Sequence, residues 1–323
     1  MKHLFVIIFF FCLSSAAVSQ LIRPEYILSA GKEYGLEVTV HQNTVSDADG
    51  IQKNISLDIR CGYNFRIDSI EDNGSYCVTV RYKNLSISMI APEMKISLNP
   101  ETPSGKILQE YIDLLENRKW NMILSRAGEV KSISGLSGIF HEMYNESSAS
   151  GQQDVIIKTL DEAFGEESFL SFSNMILHLY PDYPVIEKWV TRNRHFFNTK
   201  EVSLSNKWYY TYNKDGQQLV QGIGIIESPV SDTIEYNGIS ITTSVEGSQT
   251  YDYITNPETG WMLAGLSRQK IIVINKIVND PSFPEGLEIP TLTETSYLIK
   301  DKTVKAEEPV TKNKGRRNRK TDR

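Results

Sequence analysis

Cysteine and histidine, the side chains most often used as metal ligands, nucleophiles and general bases, are scarce in this sequence. Its 323 residues include three cysteines and five histidines. His141 is followed by Glu142 but lacks the second histidine, one helical turn later, that a zinc-binding helix needs. No other histidine has a partner at metal-ligand spacing, so we predict no metal site.

Loops that bind phosphate or calcium, or that present a nucleophile, are also missing. Residues 222–224, Gly-Ile-Gly, lack a third glycine and lie inside a predicted strand, where they are better explained as a place at which backbones pack closely. Ser137 lies in a loose nucleophile-elbow pattern, but Ile139 stands where that turn needs glycine. Residues 47–50 form a turn without the glutamate that closes a calcium loop. We therefore predict no catalytic residue, no cofactor and no enzyme; a hydrolase would need His195 beside an acid and a serine or threonine.

One long apolar run, residues 4–13, lies at the N-terminus. Lys2 precedes it, and the small residues Ala17 and Ser19 follow at the positions that a signal peptidase reads. The run is shorter than the ~20 apolar residues that span a bilayer. The pattern predicts a signal peptide over residues 1–19 and an exported protein, periplasmic or extracellular, without a later transmembrane segment.

Two cysteines follow this segment, and exported proteins often pair an even number of them. Cys61 lies on the apolar face of a predicted strand, whereas Cys77 alternates onto the other face of the next one. In a simple hairpin turning at residues 73–74, Cys77 would lie opposite about residue 69. A disulfide needs Cα atoms within about 7 Å, so the spacing disfavours a bond unless a bulge at Gly62 shifts the register.

The net charge of −6 is unevenly distributed. Residues 300–323 hold ten lysines and arginines against four acidic residues, so the rest of the chain is strongly acidic. The end of the chain, residues 301–323, has no hydrophobic period and is predicted to be a disordered basic tail. An anionic lipid or cell-surface polymer is the expected partner, and nucleic acid is not. A solvated tail without a function is the alternative.

Alternating apolar and polar residues predict a β-rich first half over residues 20–135. Asn-Gly at residues 73–74 is a strong hairpin signal, and a parity shift at residues 83–84 indicates a β-bulge. Residues 126–128 predict another tight turn. A single helix in this half should begin after Thr102, whose side chain can cap it ahead of a proline.

A helical segment, residues 136–184, follows the first half. Its apolar residues recur at helical spacing in three groups, the last reaching residue 179. Alternation then returns over residues 185–300, which predicts a second β half.

Two hairpin sequences suggest that these halves are related. Residues 120–136 read WNMILSRAGEVKSISGL, and residues 253–266 read YITNPETGWMLAGL. Aligning them places Gly135 on Gly265. This internal repeat predicts that the shared glycines are needed at turns and strand ends.

An aromatic run in the second half is the one suggested ligand-binding feature. Trp208, Tyr210 and Tyr212 would point the same way from one strand. They could form a platform for a sugar or a lipid. Burial against the helices is the favoured interpretation, because large aromatic side chains dominate cores.

Three phrases carry a resemblance to a known family: YCVTVRYKNLSISM at residues 76–89, the hairpin at residues 120–136, and LYPDYPVIEKW at residues 179–189. The chain resembles an uncharacterised family of exported proteins of Gram-negative bacteria, a domain of unknown function, over about residues 34–299. Members often carry Gly-Asp before the tryptophan that opens the second half, and here residues 187–188 are Glu-Lys. The resemblance implies no activity or site.

We therefore predict an α+β, β-rich fold. Two related antiparallel meanders would form a curved or half-open barrel with the helical segment between them, similar at fold level to LolA-type periplasmic carriers. The predicted function is a non-enzymatic cell-envelope protein that binds an apolar or amphipathic ligand, such as a lipid. The alternative is a cell-surface interaction protein that uses its sheet edges and basic tail.

Overall fold

A computed structural model provides the structure of the protein. It describes residues 21–303 apart from short gaps, which are residues 49, 93, 98–100, 147–150, 198–199, 213–216, 228–231, 237–238, 279–282 and 284–285. The predicted signal peptide and nearly all of the predicted basic tail lie outside the described residues.

Thirteen strands are described, several of them in stretches where apolar and polar residues alternate. They are β1 (Glu33–Ala48), β2 (Ile51–Ile70), β3 (Tyr76–Ala91), β4 (Met94–Ser97), β5 (Trp120–Leu124), β6 (Val130–Ser134), β7 (Lys188–Phe197), β8 (Lys200–Tyr212), β9 (Gln218–Glu227), β10 (Asp232–Tyr236), β11 (Ile239–Thr255), β12 (Met262–Val278) and β13 (Leu287–Asp301).

All of these strands belong to one antiparallel sheet, in the order β6-β5-β3-β2-β1-β13-β12-β11-β9-β8-β7, with β4 on β3 and β10 on β11. Pairing of β1 with β13 joins the two meanders in the middle of the sheet. The strands β6 and β7 form the ends of this path. The predicted β-rich, half-open antiparallel architecture is confirmed.

Four helices are described: α1 (Pro103–Asn117), α2 (Leu136–Glu146), α3 (Gly151–Phe164) and α4 (Glu166–Ile176). The predicted cap of α1 is confirmed, because the side chain of Thr102 accepts a hydrogen bond from the Gly105 amide at 3.0 Å. Within the described residues, no helix is both long enough and apolar enough to cross a membrane.

The hairpin of β2 and β3 confirms the predicted turn and bulge. β2 and β3 are joined at residues 71–75, and Cys77 pairs with Ser69, as the parity of the strands requires. Both cysteines are free. The bulge lies opposite residues 60–62, where Asn84 takes a positive φ of 52°.

Helix α4 fills the concave side of the first half. Phe169 packs edge-on against Trp120 of β5, with ring centroids 4.3 Å apart, and Phe172 stacks on Tyr63 of β2 at 4.7 Å. Met175 reaches the second half, where its sulfur accepts from the Ser267 hydroxyl at 3.9 Å. The helix therefore plugs one end of the half-barrel.

The segment after α4 connects the two ends of the sheet. Tyr180 N–H donates to the Ala127 carbonyl in the β5–β6 turn at 3.1 Å. On the other side, Trp189 of β7 donates from Nε1 to the Leu179 carbonyl at 2.8 Å. Gly128, with φ +91°, packs so tightly here that a Cβ would lie 1.7 Å from the Leu177 carbonyl oxygen. The helix ends at residue 176 rather than 179 because the next residues make these contacts.

The proposed repeat is only partly matched by the structure. Gly128 and Gly135 have positive φ, as a turn and a strand end require. Gly265 does not: it lies inside β12, paired with Tyr253, and an added Cβ would lie 2.4 Å from that ring. The prediction that Gly265 ends a strand is wrong, because its role is to admit a side chain.

Candidate functional site

The pairing register arranges the inner-face residues of the sheet in rows that run across the strands. One row lies beneath the end of α4, and half of its members are aromatic; we call it the aromatic row. Its members are Trp189, Trp208, Gly222, Tyr251, Ser267, Tyr297, Val40 and Ile59.

The next row outward is polar over its second-half strands, and we call it the amide row. It contains Thr191, Asn206, Gly224, Gln249, Gln269, Thr295 and Gln42, and it continues into Leu57 and Met89. Seven neighbouring strands thus carry a polar residue or a glycine at the same depth. Such a row in the interior of a sheet requires an explanation, because buried polar groups cost free energy unless they are hydrogen-bonded.

Three amides in this row are buried and incompletely bonded. Asn206 is 0% exposed, Gln249 1% and Gln269 5%. The amide nitrogens Nδ2 of Asn206 and Nε2 of both glutamines have no hydrogen-bond partner within the described residues. Each unsatisfied buried donor costs about 1–3 kcal/mol. Together the three amides form a buried cluster of polar groups with unsatisfied donors.

Tyr251 connects two of these amides. Burial raises the pKa of its phenol well above the ordinary value, so the hydroxyl keeps its single proton. The hydroxyl lies 2.9 Å from Asn206 Oδ1 and also contacts Gln249 Oε1. One proton serves only one acceptor well, so rotation of the other amide lets its NH2 donate to the phenol oxygen. After this rotation, the NH2 groups of the unrotated amide and of Gln269, together with the carbonyl of the rotated amide, are the polar groups that lack a partner.

The glycines of β9 make room for this arrangement. A Cβ on Gly224 would lie 2.3 Å from Asn206 Oδ1, and one on Gly222 would lie 2.6 Å from the Trp208 ring. Side chains from β8 and β11 can therefore meet over β9. The prediction that backbones pack closely at these glycines is wrong, because the atoms that an added Cβ would meet belong to side chains of the neighbouring strands.

An apolar wall lies on the first-half side of the same concave face. Val40, Leu57, Ile59 and Met89 point inward but are only half-buried, unlike the fully buried residues nearer α4. On the other side of the amide row, six aliphatic residues form a separate buried cluster, namely Val202, Leu204, Ile226, Val245, Ile271 and Val273. The unpaired amides are thus bordered by apolar surface on both sides.

The described strands place no charged residue in these rows. In the described strands, the amide row, the aromatic row and the next row outward contain no lysine, arginine, aspartate or glutamate. The site can therefore supply hydrogen bonds and apolar contacts, but no counter-ion.

The three aromatic residues singled out by the sequence occupy different environments. Trp208 is fully buried, donates from Nε1 to Thr191 Oγ1 at 2.8 Å, and packs on Tyr251. Tyr210 is half-buried and Tyr212 is 58% exposed. The three side chains do not form one open platform. Ligand binding by this trio stays a prediction.

A second concavity, of about 400 Å³, lies on the outer face, where β1, β2 and the end of β13 meet. Three of its charges are paired with one another: Arg60 donates to Glu37 at 2.8 Å, and Lys302 lies 3.8 Å from the same carboxylate. The hydrogen bond from Arg60 lowers the pKa of Glu37. The charges of Arg60, Glu37 and Lys302 therefore do not indicate a ligand.

No group of three or more histidine, cysteine, aspartate or glutamate side chains is placed to hold a metal ion in the described part of the chain. The backbone of His195 lies in β7, but its side chain lies outside the described residues. The hydrolase alternative stays untested.

Sequence reasoning missed the amide row, although a signal for it was present. Gln249 has the same strand parity as Tyr251 and Tyr253, and Gln269 has the same parity as Ile271 and Val273. Each glutamine is thus an inward-pointing polar residue in an otherwise apolar series. Only the cross-strand register shows that these residues are neighbours.

Comparison with family profiles finds a match over residues 73–262, more than half of the chain, to a family of unknown function, DUF6263. The chain belongs to the DUF6263 family. The matched region of this DUF6263 chain includes all four helices, Asn206 and Gln249, and it ends before Gln269. No curated protein matches the chain.

Among solved structures, lipovitellin matches 87% of this DUF6263 chain at 11% identity with a TM-score of 0.46, and the chain spans about a quarter (26%) of it. OccK7 (OpdD) of Pseudomonas aeruginosa matches 84% of the chain and 100% of its own at 6% identity and TM-score 0.20. The COG4313 outer membrane channel of Pseudomonas putida F1 matches 85% of the chain and 97% of its own at 9% identity and TM-score 0.17. None of these reaches a TM-score of 0.5, so they assign no function.

Proposed function

We propose that this protein is an exported, non-enzymatic protein of the cell envelope that binds an apolar or amphipathic ligand inside the half-barrel. The observation that carries the proposal is the set of unpaired amides at Asn206, Gln249 and Gln269 beside a half-exposed apolar wall. A ligand with polar and apolar parts would satisfy both surfaces at once.

The energetic cost of the arrangement supports a binding role. Three buried amides that each keep one polar group without a partner cost several kcal/mol if each such group costs about 1–3 kcal/mol. Apolar residues at these positions would remove that cost. Binding sites commonly retain such locally unfavourable groups, because the ligand supplies the missing partner.

Export and envelope location rest on the sequence. Residues 1–19 have the pattern of a signal peptide, and the resemblance to exported Gram-negative proteins agrees with it. The analogy with LolA-type carriers belongs to the same proposal, supported by a concave sheet that holds helices on its inner side.

A blocking substitution tests the proposal. Leu57→Trp adds bulk to the inner wall of β2, and Ser56→Trp places the same side chain on the outer face of that strand. Native mass spectrometry of the full chain, before and after incubation with a total lipid extract, should detect bound lipid on the wild type and on Ser56→Trp. Leu57→Trp should bind much less. A wild-type protein that never carries lipid would sink the proposal.

The alternative, a surface interaction protein that acts through its sheet edges and basic tail, depends on residues that lie mostly outside the described part of the chain. Deletion of the tail tests it, as set out in the Discussion.

A further inference from the structure

We infer that the amide row selects ligands with an uncharged, hydrogen-bonding head group, such as the ester and hydroxyl groups of an acylglycerol, over charged amphiphiles of the same chain length. This inference rests on the proposed function and names the chemical class of ligand for that site.

Three amide nitrogens are the hydrogen-bond donors of the row. Asn206 Nδ2, Gln249 Nε2 and Gln269 Nε2 are buried without partners. Gln249 and Gln269 pair directly across β11 and β12, and Asn206 lies two strands from Gln249, across β9. Neighbouring strands are about 4.8 Å apart, so the donors cover roughly 15 Å of the concave face. A head group with several oxygens matches this spread better than a single small group.

A ligand must also match the balance of donors and acceptors in the row. Tyr251 has one proton for two amide oxygens, so rotation of one amide turns a carbonyl toward the interior. The row then complements a ligand that has both acceptors and a donor. Ester carbonyls together with a free hydroxyl meet this requirement, whereas a hydrocarbon leaves every amide unsatisfied.

The residues around the amides also limit the charge of the ligand. The amide row and the rows on both sides of it contain no charged residue in the described strands. Transfer of an ionised group from water into such a site is strongly unfavourable without a counter-ion, and neutral amides offset only part of the loss. A phosphate head group should therefore be rejected.

The apolar part of the ligand would lie against the first-half strands. Leu57 and Met89 continue the same row on β2 and β3, beyond Gln42 and Thr295. From β11 to β2 is four strand spacings, about 19 Å along the sheet. One amphiphile can thus place its head at the amides and its acyl chain against the half-exposed wall.

A matched set of ligands tests the inference on the full-length protein. The ligands are 1-oleoylglycerol, 1-oleoylglycerol 3-phosphate, which differs only by the phosphate, and 1-octadecene, which has no head group. Affinity is measured for the wild type, Gln249→Leu, Gln269→Leu and the outer-face control Gln221→Leu. Gln221 is exposed and donates to Asp252 at 2.7 Å, away from the concave face.

The wild type should bind 1-oleoylglycerol at least tenfold more tightly than its phosphate. Each substitution in the amide row should weaken 1-oleoylglycerol binding about fivefold to tenfold, the value of one hydrogen bond, and leave octadecene binding unchanged. Gln221→Leu should match the wild type for all three ligands. Circular dichroism confirms that each variant is folded.

Two outcomes would overturn the inference and leave the proposed function intact. One is equal or tighter binding of the phosphate. The other is unchanged binding of 1-oleoylglycerol by both row variants, which would mean that buried water, rather than a head group, satisfies the amides. Failure of all three ligands to bind the wild type would overturn the inference together with the proposed function.

Discussion

The amide row predicts that Gln269→Leu stabilises the ligand-free protein. Gln269 is 5% exposed, and its Nε2 has no hydrogen-bond partner. Leucine has a similar volume, so the substitution removes an unsatisfied donor without opening a large cavity. Most substitutions of buried residues destabilise a protein, so an increase in stability would be diagnostic.

The expected size follows from the removed group. An unsatisfied buried donor costs about 1–3 kcal/mol, and imperfect packing of leucine against Gln249 and Thr295 returns part of that gain. We expect a net increase of about 1–2 kcal/mol in the free energy of unfolding. For a chain of this size, this corresponds to a rise in Tm of roughly 2–6 °C.

Differential scanning calorimetry on delipidated protein measures this change. Gln249→Leu should stabilise less, because it also removes the contact between Gln249 Oε1 and the Tyr251 hydroxyl. Gln221→Leu, on the outer face, should change the free energy by less than about 0.5 kcal/mol. A lower Tm for Gln269→Leu would refute the reasoning, because it would show that the amide already has a partner in the folded protein.

Three further predictions follow from other parts of the molecule. Gly128→Ala should lower the free energy of unfolding by about 3 kcal/mol or more in chemical denaturation, because an added Cβ would clash with a backbone carbonyl. The control Gly50→Ala has a similar positive φ but no atom within 4 Å, so it should lower that free energy by only about 1 kcal/mol. Equal losses for the two variants would contradict the contact at Gly128. The lowered pKa of Glu37 stabilises the fold above the ordinary carboxyl pKa of about 4.3, and this gain is lost as pH falls through the native value. Glu37→Gln should therefore flatten the pH dependence of the free energy of unfolding below pH 5. We expect a change of less than about 1 kcal/mol, because Arg60 is 56% exposed, and an unchanged profile would count against the pairing. Deletion of residues 304–323 should weaken envelope association on cell fractionation while leaving Tm unchanged; unaltered fractionation would argue against a role for the tail.

The strands and turns were predictable because their signals are local. Alternation indicated many of the strands, and Asn-Gly at residues 73–74 placed the hairpin and set Cys77 opposite Ser69. Thr102 and the following proline placed the start of α1. The end of α4 was less predictable, because the residues there make contacts with parts of the chain distant in sequence, such as the hydrogen bond from the Tyr26 hydroxyl to the Leu177 carbonyl.

The candidate site was not predictable, because it depends on register between distant segments. Asn206, Gln249 and Gln269 come from three strands, and the pairing of β1 with β13 brings them onto the same concave face as Leu57. The aromatic run drew attention in the sequence because its residues are adjacent. Gly265 shows the same limitation: the alignment with Gly135 suggested the end of a strand, but the role of Gly265 is set by Tyr253 on the neighbouring strand.

The most direct test of a ligand-binding half-barrel is native mass spectrometry of the full-length protein purified from an envelope fraction without delipidation, with fragmentation of any bound species. The account predicts a retained lipid whose mass and fragments identify an uncharged acyl ester, and a loss of that adduct in Leu57→Trp but not in Ser56→Trp. A protein that is free of lipid in every preparation, and that binds none of the three oleoyl and octadecene ligands, would contradict it.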